Sequence, residues 1–251
     1  MHLLPVWFRI IVIIQYTMRK ILLLIILFAS LGSNSYSQTV EEIVNRHIQA
    51  LGGRQALANV RTKVLELELQ LDSGPMKAVV YNQRPDNYRS EMEMPDGNKV
   101  LTLVGPGGGW NQMGENAGEV SPEQMADLKL NELDIDGILV DYKSKGIEVS
   151  LAGKEKVNDA EAYKIKIELP NETTQWFWIN SSNYMPVKLS RSVITGMGPM
   201  DLGREFLEFK EVKGVKYPVR FRSSFGMNEY TTIVKSIKIN ESIDPKVFER
   251  G

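Results

Sequence analysis

The sequence predicts a mainly β protein with a few helices. We expect a strongly curved antiparallel sheet, or an unclosed β-barrel, of about ten or eleven strands covered by a helical lid. Apolar and polar residues alternate along 215–225, and the same period of two recurs along 65–71 and 163–169. This alternation is typical of strands that bury one face and expose the other. Short turns join most of these strands, as in an antiparallel sheet.

The N-terminus has the features of a secretory signal peptide. Two cations, Arg19 and Lys20, precede the apolar run 21–28, and small polar residues follow it. This order of segments is typical of a signal peptide. We expect cleavage before Gln38, which leaves 38–251 as one mature domain.

A second apolar run, 10–14, lies in front of that signal. A mis-assigned start codon would explain it, with Met18 as the natural start and 1–17 as an extension. The alternative is one longer membrane anchor. We favour the first explanation, because a spanning helix needs about 20 apolar residues and charged side chains interrupt this region.

Composition excludes several classes of protein. The chain has no cysteine, so it can carry neither a disulfide nor an N-terminal lipid-modified cysteine. Its 30 Lys and Arg are outnumbered by 31 Asp and Glu, which argues against a nucleic-acid partner. The 214 residues from Gln38 onward (251 − 37) are enough for one sizeable core. We expect a soluble monomer without a cofactor.

Three helical segments are predicted. In the first, 40–51, one stripe is apolar and the opposite face is polar, and Gly52 and Gly53 end the helix. A short helical turn follows at 54–59. The second helix begins at Ser121-Pro122-Glu123-Gln124, where serine suits the N-cap and proline the first helical position.

The third helical segment is weaker and rests on helical spacing alone. Ile135, Ile138, Leu139 and Tyr142 recur at that spacing before Gly146 ends the pattern. We expect this helix and the second one to cover one end of the sheet.

The strands fall into two groups. Before the second helix we predict strands near 63–72, 75–83, 87–94 and 98–104. After the third helix we predict strands near 147–153, 161–169, 174–180, 185–192, 203–211, 215–225 and 229–239. The glycine cluster 105–109 is predicted to be a hairpin loop rather than a phosphate cradle, because no Gly-Lys-Ser/Thr sequence follows it.

Residues for catalysis are few. His47, on the apolar stripe of the first helix, is the one histidine of the mature chain and is predicted to be a core or interface residue. No second histidine and no cysteine is present to build a zinc site, and a catalytic triad would have to use His47. Asp134, Asp136 and Asp141 leave carboxylate chemistry open, but their spacing does not match an EF-hand and favours solvated helix ends.

Large apolar side chains are the stronger candidates for a binding site. Trp176 and Trp178 share one face of a strand whose other face is also apolar, so either face could pack in the core or line an apolar cavity. Methionine adapts to variable apolar ligands. The remaining candidates near the loops and the helical cover are Trp110, Met113, Met92, Met94, Met125 and Leu128.

Eight short segments share their pattern with one family of envelope proteins. They are 40–44 (VEEIV), 50–53 (ALGG), 109–113 (GWNQM), 139–146 (LVDYKSKG), 151–155 (LAGKE), 162–164 (AYK), 185–188 (MPVK) and 209–218 (FKEVKGVKYP). Through them the chain resembles the periplasmic outer-membrane lipoprotein-sorting proteins, which have a LolA/LolB-like fold.

The resemblance implies a periplasmic carrier that binds acyl chains of lipoproteins or other lipids in a hydrophobic interior and performs no chemistry. It also implies an inner- or outer-membrane delivery protein as a partner, and an arginine that latches the lid, for which Arg61 and Arg89 are loose candidates. Two alternatives stay open. One is an envelope sensor or assembly factor that docks a protein with the same fold, and the other is an enzyme using Asp134 or Asp136.

Overall fold

The computed structural model describes residues 38–94, 96–133, 135, 137–195, 198–226 and 228–250. Three helical elements of the described chain are α1 (Val40–Ala50), α2 (Arg54–Ala58) and α3 (Pro122–Asn131), and Pro245–Phe248 forms a 3₁₀ turn. The predicted signal peptide, Asp134 and Asp136 lie outside the described residues. None of the helices in the described part is long and apolar enough to cross a membrane.

Thirteen strands in the described ranges form one antiparallel sheet. They are β1 (Thr62–Leu71), β2 (Gly74–Gln83), β3 (Asn87–Glu93), β4 (Lys99–Gly105), β5 (Gly108–Met113), β6 (Asn116–Glu119), β7 (Glu148–Val157), β8 (Ala160–Glu168), β9 (Thr174–Asn180), β10 (Pro186–Thr195), β11 (Gly198–Val212), β12 (Val215–Phe225) and β13 (Asn228–Ile239).

The strand order is β6-β5-β4-β3-β2-β1-β13-β12-β11-β10-β9-β8-β7. The chain therefore runs outward from β1 to the edge strand β6 and crosses through α3 to the other edge strand, β7. It then returns to the centre, where β13 pairs with β1. This path places the crossover segment where it can cover one face of the sheet.

One residue shows how strongly the sheet bends. Strands β2 and β10 are five positions apart in the sheet order, which would separate them by about 24 Å in a flat sheet. Yet the Glu132 carbonyl accepts a hydrogen bond from Asn82 Nδ2 of β2 at 2.7 Å, and its carboxylate lies 3.2 Å from Arg191 Nη2 of β10. The predicted curved and unclosed sheet is confirmed.

Helix α1 forms as its sequence predicts. Thr39 caps it, since its hydroxyl accepts from the Glu42 amide at 3.2 Å and the Glu42 carboxylate accepts from the Thr39 amide at 3.1 Å. Gly52 ends the segment with φ of +127°, and a Cβ there would lie 2.0 Å from the Gly214 carbonyl oxygen. Only glycine fits that position.

The third predicted helix is wrong. Residues 138–146 form consecutive turns. Gly137 has φ of +90° and Asp141 has φ of +50°, and both values are incompatible with a right-handed helix. Leu139 and Tyr142 are nevertheless buried. The apolar spacing reflects packing onto the core rather than helical geometry.

The predicted strand number is also too low, because β5 and β6 were not predicted. The glycine cluster does form the expected hairpin loop, in which Gly105 pairs with Gly108 between β4 and β5. Strand β5 then continues through Gly109, whose missing side chain leaves room for Val120, since a Cβ would lie 2.8 Å from the Val120 Cβ.

One part of the concave face of the sheet is filled. We call the cluster beneath α1 and the 135–147 segment the packed core; it lies mainly against β8, β9 and β12. Its buried members are Ile43, Val44, Ile48, Leu57, Val60, Ile135, Leu139, Val140, Tyr142, Ile147, Tyr163, Ile165, Ile167, Leu169, Ile179, Val215, Tyr217 and Ile239.

Candidate functional site

Another part of the same concave face borders a cavity. A cavity of about 580 Å³ lies between α3 and strands from both halves of the sheet. We call it the α3 cavity. Its volume is within the range of roughly 300–1,000 Å³ that is usual for small-molecule sites. The apolar residues that line it are Leu65, Leu67, Leu69, Ala78, Val80, Met92, Leu128, Pro218, Phe221, Phe225 and Val234.

Helix α3, which borders this cavity, is held mainly by charge and hydrogen bonds. None of its residues is fully buried. Arg191 on β10, with a side chain 6% exposed, places Nη1 at 2.8 and 3.0 Å from the two Asp127 carboxylate oxygens. Its Nη2 lies 3.2 Å from the Glu132 carboxylate. One buried arginine thus ties the C-terminal half of α3 to the sheet.

Amide side chains extend the Arg191 contact toward β9 on one side and toward β2 on the other. Asn131 donates to the Asp127 carboxylate at 2.8 Å and accepts from Gln175 Nε2 of β9 at 2.7 Å. On the opposite side Asn82 of β2 holds the Glu132 carbonyl. The resulting polar network spans the cavity wall from β9 to β2 and fixes the end of α3.

A second arginine, Arg204 on β11, also lines the α3 cavity. Its guanidinium carbon lies 4.5 Å from the centre of the Phe221 ring, at the distance of a cation–π contact. Burial lowers the pKa of Arg204, and the nearby Glu132 charge acts in the opposite direction. The side chain stays cationic at neutral pH, because arginine starts from a very high pKa.

Tyr88 is the polar aromatic residue on the β3 side of the same cavity. Burial, reinforced by the Glu132 charge, raises its pKa above the ordinary tyrosine value. Its hydroxyl therefore stays protonated and can donate a hydrogen bond into the cavity.

A smaller pocket of about 260 Å³ lies next to α1 and is lined by His47, Leu51, Phe177 and Phe206 among others. His47 Nδ1 donates to the Tyr184 carbonyl at 2.8 Å. Burial lowers the pKa of His47 to about 4. The histidine is therefore neutral at pH 7, and the prediction of a core residue is confirmed.

The fold was compared with known proteins. No protein-family model matches the sequence, and no curated protein matches it. A DUF1329 family protein from Desulfovibrio piger matches 85% of this chain and 98% of its own, with 10% identity and a TM-score of 0.55. A LolA superfamily protein from Nitrosomonas europaea matches 85% of this chain and 99% of its own, with 14% identity and a TM-score of 0.52.

A third solved structure is described as an outer membrane lipoprotein-sorting protein domain from Vibrio parahaemolyticus. It matches 82% of this chain and 95% of its own, with 10% identity and a TM-score of 0.54. The protein has a LolA-like fold. The resemblance stated from sequence is thereby confirmed at the level of the fold.

Two of the eight predicted site residues line the α3 cavity of this LolA-like fold, namely Met92 and Leu128. Met94 packs, like Met92, against a small cluster that includes Leu69 and Met76. Met125, on α3, lies close to Gly109 of β5.

The β5 residues among the candidates lie away from the cavity. Trp110 stacks under the Arg250 guanidinium, 4.3 Å from its ring centre, and Met113 is 65% exposed. Both belong to β5, a strand that was not predicted from the sequence.

The two tryptophans of β9 are on the face of the sheet opposite the pockets. Trp178 donates to the Glu155 carboxylate at 2.6 Å and Trp176 lies under Lys164, with 4.9 Å between the ammonium and the ring centre. Phe177, between them, faces inward and lines the α1 pocket. The strand is apolar on both faces as predicted, but the tryptophans form their own cluster with Val157, Ala162 and Val187.

The lid contact also differs from expectation. Arg61 is exposed, and Arg89 pairs with Glu91 and donates to the Val247 carbonyl at 3.0 Å. Arg191 makes the contact to α3 instead. No local motif distinguishes Arg191, since its partners Asp127 and Glu132 are more than fifty residues away in the chain.

The predicted acidic cluster has one described member. Asp141 is exposed and pairs with Arg54. The described residues contain no group of three or more histidine, cysteine or acidic side chains that could hold a metal ion.

Proposed function

We propose that this protein is a periplasmic carrier that binds acyl chains of lipoproteins or other lipids in the α3 cavity and takes part in their transport toward the outer membrane. The observation that carries the proposal is the cavity of about 580 Å³ inside a LolA-like fold, whose wall combines a large apolar surface with a set of polar and charged side chains. A well-packed structural domain leaves few voids larger than a water molecule. A cavity of this size is therefore best explained by a ligand.

Hydrophobic burial is sufficient to supply the affinity. Each methylene removed from water contributes about 0.8 kcal/mol. A chain of about 16 carbons would thus contribute on the order of 10 kcal/mol before the costs of ordering the chain and the protein are subtracted. The carrier role needs no covalent chemistry and no cofactor.

Helix α3 is the proposed gate. Its attachment through the Arg191 network can be released and re-formed at moderate cost, because the buried ions regain hydration when the helix lifts. The apolar contacts of α1 have no such compensation. Export by the N-terminal signal would bring the carrier to the periplasm, where a membrane protein would deliver or receive the lipid.

Native mass spectrometry after gentle extraction tests the proposal. We expect the full chain, expressed with its signal, to carry one co-purified lipid or the acyl part of a lipoprotein. Val80→Trp should weaken this adduct by occupying part of the cavity, and Val79→Trp, on the outer face of the same strand, should retain it. A lipid-free protein, or a stoichiometric protein partner without lipid, would contradict the carrier role and favour the docking alternative.

A further inference from the structure

An unpaired cation lies inside the α3 cavity. In the described part of the chain, Arg204 Nε is shielded from solvent and has no hydrogen-bond partner. No described carboxylate forms an ion pair with Arg204 either, since Asp127 and Glu132 point their oxygens at Arg191. The two arginines of the cavity wall thus differ, because Arg191 is satisfied by the protein and Arg204 is not.

Phe221 covers one face of the Arg204 guanidinium. The N–H groups of a guanidinium lie in its plane, so a ring stacked on the face leaves them available to an acceptor. A planar, weakly hydrated cation of this kind binds carboxylate and phosphate oxygens in preference to other acceptors.

A second unsatisfied group is next to it. Ser223 on β12 is the register partner of Arg204 and is 1% exposed. Its hydroxyl has no hydrogen-bond partner among the described residues. Two neighbouring donors without acceptors are unfavourable in a folded protein and point to a ligand that supplies the acceptor.

The walls on either side restrict the kind of ligand. Phe221, Phe225 and Val234 continue the cavity as an apolar surface toward β1 and β2. A small inorganic anion would leave that apolar surface without a contact. An uncharged hydrocarbon would leave Arg204 without a hydrogen-bond acceptor. Only an amphiphile with an anionic head and an alkyl chain matches both parts.

We propose that Arg204, assisted by Ser223, binds the anionic headgroup of an amphiphile, a carboxylate or a phosphate, whose alkyl chain lies along the apolar wall of the α3 cavity. This proposal rests on the carrier function and adds that the carrier selects acidic lipids over neutral ones.

A pair of matched probes tests it. Parinaric acid, a fluorescent fatty acid, and its neutral methyl ester differ at the headgroup alone. We expect the wild-type protein to bind the acid at least ten-fold more tightly than the ester. Arg204→Met should remove that preference by weakening the acid and leaving the ester within two-fold, and Arg204→Lys should restore part of it.

The control variant is Arg220→Met, one strand away and on the outer face, where Arg220 is 49% exposed and lies 3.1 Å from Glu208. It should bind both probes as the wild type does. The melting temperature of the ligand-free protein separates binding from structure: we expect Arg204→Met not to lower it, because an unpaired buried cation is replaced by an apolar chain of similar length.

Three outcomes would overturn the proposal. One is equal binding of acid and ester by the wild type, which leaves the carrier function intact. Another is a lower melting temperature of Arg204→Met with the preference for the acid unchanged, which would make Arg204 a structural counter-charge to Glu132. The third is displacement of the acid by inorganic phosphate at equal concentration, which would indicate a site for free anions. If neither probe binds, the carrier function itself fails.

Discussion

Two parts of the concave face of the sheet are built from the same kind of alternating strands, but one is closely packed and the other borders a cavity. Beneath α1 the packed core has side chains such as Ile43 and Ile165 with no exposed surface. Beneath α3 a cavity remains, and the helix is held by Arg191 rather than by buried apolar residues. The comparison indicates that the packed core provides stability, whereas the region beneath α3 leaves room for the proposed ligand.

Large-to-small substitutions should give the largest difference in unfolding free energy between the packed core and the wall of the α3 cavity. Ile165→Ala, in the packed core, should lower the free energy of unfolding by about 4 kcal/mol, because it leaves a new void. Leu67→Ala, in the wall of the α3 cavity, should cost only about 1 kcal/mol, because it enlarges a space that exists already. Urea unfolding of the two variants measures the difference, and equal costs would show that the cavity side is packed in solution.

The loss of folding stability at low pH should come in part from His47, next to the packed core. Its folded pKa of about 4 lies below the unfolded value of 6.5, so the unfolded state takes up the proton first as the pH falls. Stability is therefore complete above pH 6.5 and declines toward pH 4, by about 3 kcal/mol for this group.

The variant His47→Asn, which keeps a side-chain N–H donor, should remove this part of the decline. The free energy of unfolding is measured from pH 7 to pH 4 for the wild type and the variant. The difference gives the contribution of His47, since the carboxylates are the same in both. A decline of the same size in the variant would contradict the buried neutral histidine.

On the cavity side, Arg191→Met should loosen α3 without unfolding the protein. The loss of charged hydrogen bonds to Asp127 and Glu132 should lower the local opening free energy of the helix by about 2 kcal/mol. Hydrogen exchange of the α3 amides should accelerate accordingly, while α1 amides stay protected. Lys129→Met, on the exposed face of α3, is the control. Equally faster hydrogen exchange in both variants would argue against Arg191 as the residue that holds α3 to the sheet.

The smallest effect concerns the methionines. Met92→Gln, in the cavity wall, should weaken binding of an alkyl probe about four-fold, since it removes about 0.8 kcal/mol of apolar contact. Met113→Gln, on the exposed strand β5, should leave binding unchanged. Fluorescence titration distinguishes them, and the reverse ranking would place the ligand outside the α3 cavity.

Much of the fold is local in origin and was therefore predictable. The alternation of 215–225, the capped start at Ser121 and the positive φ at Gly52 each depend on a few neighbouring residues. The segment 135–147 was mispredicted, because its apolar spacing is compatible with a helix and with compact turns alike. The choice between them depends on packing against the sheet.

The candidate site was less predictable. When both faces of a strand are apolar, the sequence does not show which face lines a pocket. On β9, Phe177 faces the pockets and Trp176 and Trp178 face away, although tryptophan would be the natural choice for a ligand wall. Arg191 and Arg204 carried no sequence signal at all, since each is one arginine among ordinary strand residues.

The sequence by itself determined a cysteine-free chain of antiparallel strands with two well-capped helices, because period, caps and turns are properties of neighbouring residues. Only the tertiary structure decided that the sheet bends around a hollow, that Arg191 is paired and that Arg204 is not. These features depend on strands that are far apart in the chain and meet only when β13 joins β1 and the crossover brings α3 back over the sheet.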